Sequence, residues 1–183
     1  MSTAVQEAPA WVRDLLDRYQ AGIAHTFMVV GNVSDYVVPG VGLRTYLTRV
    51  FSRRDLIVFY DRSAGLQFPV EAMRKRFMEL CGLAPEGQDD VLAALRVAGG
   101  GTPEAPLPRD PLGALGLLEG VLRNPEVKSV AVIEYLEALA PQGEWSMLSA
   151  EDRGVIVALQ RWARDPAMAA AGNMVILVTG EPS

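Results

Sequence analysis

Two segments in the last third of the chain constrain its fold more than anything else. Residues 127–141 read VKSVAVIEYLEALAP, and residues 172–183 read GNMVILVTGEPS. Each is a short β-branched run that opens into a polar turn, and a largely helical stretch lies between them. Parallel strands need a crossover of a dozen or more residues, usually a helix, so the pair reads as two successive strands of a parallel sheet.

The remaining pattern extends that reading. Residues 10–21 place Trp11, Val12, Leu15, Leu16 and Tyr19 on one helical face, between Pro9 and Gly22. TFMVVG (26–31) reads as a first strand and LIVFYD (56–61) as a second, with a helix over 43–53 between them. Further helices are expected over 70–82, 88–99, 112–124 and 149–165, the last with Ser149 as N-cap and Asp152 three residues on. Residues 99–111 (GGGTPEAPLPRDP) form a Gly/Pro-rich loop, expected to be mobile rather than a domain boundary. Strands 128–134 and 174–179 complete the set. Nearly continuous apolar strands alternating with helices predict one α/β domain over 1–183, a parallel sheet with helices on both faces. Ligands in such sheets bind beyond the carboxyl ends of the strands. Those ends carry Gly31, Asn32, Asp35, Asp61, Arg62, Glu134, Glu137, Thr179 and Gly180.

Composition excludes several classes. A net charge of −5 argues against a phosphate-backbone binder, so nucleic acid is not an expected partner. The most apolar stretch, 167–179, is interrupted by Gly172 and Asn173 and is too short to span a bilayer. The N-terminal MSTAVQEAPAW has no basic start followed by an apolar run, so no signal peptide is expected and a cytoplasmic location is the default. The single cysteine, Cys81, reads as a structural thiol. His25 lacks partners for a metal or catalytic role and reads as a surface or capping residue. Trp162 has the spacing of a core face; Trp145, in the loop QGEWSM, is the better candidate for a partner contact. Arg44, Arg49, Arg53 and Arg54 read as a solvated helix end, and Asp61 and Arg62 after the second strand as a turn ion pair, with ligand binding as the other reading.

The two C-terminal strands also resemble the Walker B and sensor-1 strands of the AAA ATPase family. Ile133-Glu134-Tyr135-Leu136-Glu137-Ala138-Leu139-Ala140-Pro141 is similar to the Walker B stretch throughout. The resemblance puts Glu134 at the magnesium-side acid and Tyr135 where the water-activating Glu stands. A phenol with an ordinary pKa near 10 cannot be that base at neutral pH. Thr179-Gly180-Glu181-Pro182 resembles the sensor-1 turn, with Gly180 in place of its Asn.

A Walker A loop needs Gly residues, then Lys and Ser or Thr. Residues 31–36 (GNVSDY) after the first strand hold one Gly, no Lys and an acid, Asp35. Neither Lys75 nor Lys128 follows a Gly. The resemblance therefore implies a degenerate, N-terminal AAA-like module lacking Walker A, of the kind that precedes an active ATPase module. It implies four visible strands of a five-stranded 5-1-4-3-2 sheet, with the fifth missing and Phe27–Val30 at an open edge. That edge would be covered by a continuation of the chain, by self-association, or by an ATPase module or another partner. Weak ATP or ADP binding with magnesium would fall to Gly31, Asn32, Glu134, Glu137 and Thr179, with Glu134 as the metal ligand. Two other readings stay open: a magnesium-dependent enzyme for a small phosphorylated ligand, built on Asp35, Asp61 and Glu134, and a stand-alone adaptor.

Overall fold

The structure, a computed structural model, describes residues 8–31, 35–83 and 107–180. Helix α1 spans Ala10–Gln20, β1 Thr26–Val30, β2 Tyr36–Val38, β3 Val41–Gly42 and α2 Leu43–Val50. Then come β4 (Leu56–Asp61), β5 (Gly65–Gln67), α3 (Glu71–Leu80) and α4 (Pro111–Leu122). Strand β6 (Ser129–Ile133), α5 (Leu136–Leu139), α6 (Ala150–Trp162), α7 (Pro166–Ala171) and β7 (Met174–Thr179) complete the described chain. The helix expected over 88–99 and most of the 99–111 loop lie outside the described residues.

The main sheet runs β1-β7-β6-β4-β5. Its first four strands are parallel, and β5 returns antiparallel on β4. The 1-4-3-2 order of the four apolar strands is as expected, and β1 lies at the edge. The sheet nevertheless has a fifth strand, on the opposite edge, which the sequence reading missed. A tight turn makes it: Asp61 Oδ1 accepts from the N–H groups of Ser63 and Ala64, both at 2.8 Å. Gly65 then adopts φ 77°, a left-handed conformation that a side chain would strain. With so short a return strand, three residues carry too little alternation to be seen as a strand.

Strand alternation splits the core between two faces. Ile57, Phe59, Val130, Val132 and Ile176 pack under Leu15 of α1 and Leu43 and Leu47 of α2. Leu56, Val58, Ala131, Ile133 and Val175 pack under α4, α6 and Met168 of α7, with Trp162 fully buried as its spacing implied. At about 25 cal/mol per Å² of apolar area removed from water, these two layers are the main source of stability.

The crossover between β6 and β7 is shorter and more broken than expected. Ser149 caps α6 through Asp152 N–H at 3.0 Å, as read from sequence. The helix stops at Trp162 because Pro166 has no N–H to continue it. Asp165 starts a separate helix, accepting from Ala167 N–H at 2.8 Å. His25 is buried and donates from Nε2 to the Trp162 carbonyl at 2.7 Å, satisfying one of the last carbonyls of α6. That is the capping role. Cys81 is half-buried, and burial pushes its thiol pKa up to about 11, which fits a structural thiol.

Candidate functional site

The carboxyl ends of the parallel strands carry two linked clusters. The first joins β1, β7 and α5. Gly31 N–H donates to the Thr179 carbonyl at 2.9 Å, extending the β1–β7 ladder by one residue. Glu137 then reaches across, accepting from Thr179 Oγ1 at 3.2 Å and from Gly180 N–H at 3.1 Å. Burial alone would raise the pKa of Glu137. Hydrogen bonds from its own N–H, Gly180 N–H and the Thr179 hydroxyl outweigh that and hold it below the ordinary carboxylate value. So the two segments that defined the fold are joined at their tips by one carboxylate. Asn32 lies outside the described residues.

The second cluster centres on Glu134, fully buried at the end of β6, where its N–H donates to the Tyr60 carbonyl at 2.8 Å. Arg44, in the first turn of α2, lays its guanidinium against it. Nε lies 2.8 Å from each Glu134 oxygen, and Nη2 also donates to Oε2. Nη2 is 3.4 Å from Asp61 Oδ2, and Nη1 donates to Gln67 Oε1. Gln67 Nε2 closes the circuit by donating to Asp61 at 3.3 Å. The Arg44 guanidinium also sits over the Phe59 ring, 5.3 Å from its centre, a cation–π contact. Its pKa is raised further above an already high value, chiefly by the hydrogen bond to Glu134. Burial would push the Asp61 carboxyl up, but the Ala64 and Ser63 hydrogen bonds and the Arg44 charge bring it below its ordinary value.

Three sequence-based expectations change here. Arg44 is not part of a solvated helix end; it is the central cation of the site. Asp61 does not pair with Arg62, whose guanidinium turns to Glu151 and Asp152 of α6 at 2.5 and 3.2 Å. Asp61 and Glu134 do come together, but on Arg44; Asp35 is exposed on the loop before β2. Among the described residues, no group of three His, Cys, Asp or Glu is placed to hold a metal ion. The three-carboxylate magnesium site is therefore not assembled.

Arg44 escapes a sequence reading that follows lysine. The β2–β3 hairpin separates β1 from α2 and carries the chain through Gly40-Val41-Gly42-Leu43-Arg44-Thr45 into the helix. A phosphate loop enters its helix through Gly-Lys-Ser/Thr. Here Arg-Thr stands in the first helical turn, behind an antiparallel hairpin instead of a tight cradle. The signal that finds it is a basic residue before Thr at a Gly-capped helix start, with arginine admitted.

A shallow cavity of about 450 Å³ opens above this cluster, lined by Gly42, Arg44, Thr45, Asp61, Ser63, Gln67 and Tyr135. Tyr135 has φ 52° and is the described non-glycine residue with positive φ, a strained conformation of the kind that gathers at sites. The residue is 41% exposed, so the strain sets where the phenol points, not how it packs. Trp145, the candidate partner contact, is 53% exposed in a 3-10 turn (Trp145–Met147) that buries no side chain. Arg153 Nη1 touches the Trp145 carbonyl at 3.5 Å.

A mostly parallel sheet between two helical layers, with its polar cluster at the strand ends, defines a Rossmann-like three-layer module. The family profile of AAA+ chaperone N-terminal Rossmann-like domains matches residues 2–183. The chain belongs to that family, and so is a module of an AAA-type protein. No curated protein matches the chain.

Proposed function

We propose that this module is non-catalytic and serves assembly or partner binding in an AAA-type protein, with weak or no ATP binding. The observation that carries this reading is the Arg44–Glu134 pair. A nucleotide-bound magnesium at Glu134 would have to displace a guanidinium that bonds both carboxylate oxygens. Displacement would leave a cation beside the incoming metal, and like charges a few ångströms apart repel. Tyr135 supplies no base for water, and Gly180 no amide to orient it. Gly31, Asn32, Glu137 and Thr179 would at most shape a weak nucleotide contact, with ATP or ADP and magnesium as its ligands.

Partner binding has two supports. Strand β1 is an uncharged apolar edge, and Trp145 stands half-exposed beside Met147, which is 82% exposed. Large apolar side chains displayed together on a short turn are the usual anchors of protein contacts.

The direct test is steady-state ATP turnover by the purified chain and by Glu134→Gln. The reading expects no turnover above a protein-free blank in either. Magnesium-dependent turnover that Glu134→Gln abolishes would overturn it.

A further inference from the structure

We infer that residues 88–99 lie as a helix along the outer groove between α4 and α6, antiparallel to α4. Their placement does not depend on how the strand-end cluster is used. The reason lies in α4. Its sequence, PLGALGLLEGVL, is apolar around the whole circumference, with Glu119 as its one charged residue. A helix of that kind is normally covered on all sides. Its inner face is covered: Ala114, Leu115, Leu118, Val121 and Leu122 are buried in the core. Its outer face is bare among the described residues. Leu112, Gly116 and Gly120 recur every four residues and are exposed, where a solvated helix would set charge. A side chain added at Gly116 or Gly120 would meet no described atom within 4 Å.

Helix α6 forms the other wall. Leu112 sits so close to Gly154 that an added Cβ there would lie 3.1 Å from its Cδ2. Glu119 pairs with Arg161 at the same sequence spacing, so the two helices run parallel. Between them lies a groove of about 230 Å³, lined also by Leu115, Val157 and Ala158. Val157 is 50% exposed and Leu112 45%.

Chain connectivity selects the occupant. Twenty-three residues, 84–106, join Leu83 after α3 to Leu107 before α4. Leu107 and the α3 residues Phe77 and Leu80 belong to the core layer of α4 and α6, so both ends of the segment emerge on the groove's side of the sheet. Asp110 caps α4 by accepting from Gly113 N–H at 2.7 Å, which holds the returning end beside Leu112. So short a tether gives an effective concentration of the order of millimolar, which favours the segment over a separate partner. Within it, Val91, Leu92, Leu95 and Ala98 share one helical face, and residues 99–101, all Gly, end the pattern. Residues 88–99 equal the 12 residues of α4 in number, so the two helices match in length. Charge sets the direction. The far end of the groove carries Arg123 and Arg161, which both pair with Glu119. Residues 84–106 hold the acids Glu86, Asp89, Asp90 and Glu104 against one base, Arg96. Antiparallel to α4, the segment brings Asp89 and Asp90 to those arginines and Leu95 to Gly116.

The test is thiol chemistry on the full chain in a Cys81→Ser background. Gly116→Cys is expected to react with a maleimide at least about tenfold slower than Ser146→Cys, which lies in the exposed 3-10 turn. Adding Leu92→Asp and Leu95→Asp should make Gly116→Cys react as fast as Ser146→Cys, with thermal unfolding still cooperative. On mild oxidation, Leu95→Cys with Gly116→Cys is expected to form a disulfide within one chain. Packed helix axes about 8–10 Å apart put facing Cα atoms roughly 4–6 Å apart, within disulfide reach. Ala93→Cys, on the opposite helical face, should not form one with Gly116→Cys. A Gly116→Cys thiol as reactive as Ser146→Cys in the otherwise unchanged chain overturns the inference. So does protection that survives the two Asp substitutions or that grows with protein concentration, which would put a second copy in the groove. Equal oxidation of the Leu95 and Ala93 pairs overturns it as well, and that comparison holds even if the Asp variant fails to fold. None of these results bears on ATP turnover, so the non-catalytic reading stands or falls separately.

Discussion

Arg44 and Glu134 lie 90 residues apart in sequence and share one ion pair, with Nε at 2.8 Å from both carboxylate oxygens. The pair locks the first turn of α2 to the end of β6, so the helix that would cradle a phosphate is fastened to the strand that would hold its metal. Glu134 is almost completely enclosed, whereas the Arg44 side chain keeps 39% of its surface in solvent. The two partners are therefore not equally expendable.

Removing only the cation should be costly. Arg44→Ala leaves Glu134 charged, buried and short of donors, and breaking a buried pair costs about 3–5 kcal/mol. Solvent reaching Arg44 discounts this, and about 2–3 kcal/mol is expected. Arg44→Met with Glu134→Leu removes both charges and should recover most of the loss. Urea unfolding of the three proteins measures it; a double variant as unstable as Arg44→Ala would contradict the assignment.

Acid should weaken the fold through Asp61. Its folded pKa lies below the ordinary 3.8, so its contribution is complete above that value and is lost as pH falls through the folded pKa. Glu137, also depressed, acts in the same direction below its ordinary 4.5. Thermal midpoints should be flat from neutral pH down to the ordinary carboxylate range and fall below it. Asp61→Asn should lower the neutral plateau and make the acid limb shallower. An unchanged limb would show that other groups set it.

Tyr135 should tolerate glycine better than a β-branched residue. Its φ of 52° is costly for any side chain, by about 1–2 kcal/mol. Tyr135→Gly relieves that strain and exposes no core, so stability should stay within about 1 kcal/mol of wild type. Tyr135→Val should be clearly less stable than either. Equal midpoints for the glycine and valine variants would mean that position 135 is not held left-handed.

How much was legible follows from the range of each signal. Strands 56–61 and 174–179 could be read to the residue because each is a run of five buried apolar side chains closed by a polar one, Asp61 and Thr179. The order of the four parallel strands came with the family resemblance. Strand β5 and the β2–β3 hairpin were not legible, since they rest on single turns at Gly65 and Gly40 and not on periodicity. The positions of part of the cluster were legible: Gly31, Glu134 and Thr179 sit at strand ends and Glu137 in the short helix after β6, where the alternation of elements placed them. Arg44 and Gln67 were not, because their role depends on side chains that meet across the sheet from α2 and the β5 edge. The Arg44–Glu134 bond joins residues whose nearness only the folded sheet creates.

We propose that Arg44 stands in the electrostatic place of a nucleotide-bound cation. Thermal unfolding across an ATP–magnesium titration, with ADP and nucleotide-free controls, tests it most directly. Saturating ligand, at about a hundred times its dissociation constant, stabilises by roughly 2.7 kcal/mol, a shift of a few degrees for a domain of this size. No saturable, magnesium-dependent shift is expected up to millimolar ATP. A saturable shift at micromolar ATP that requires magnesium and disappears in Glu134→Gln would contradict it.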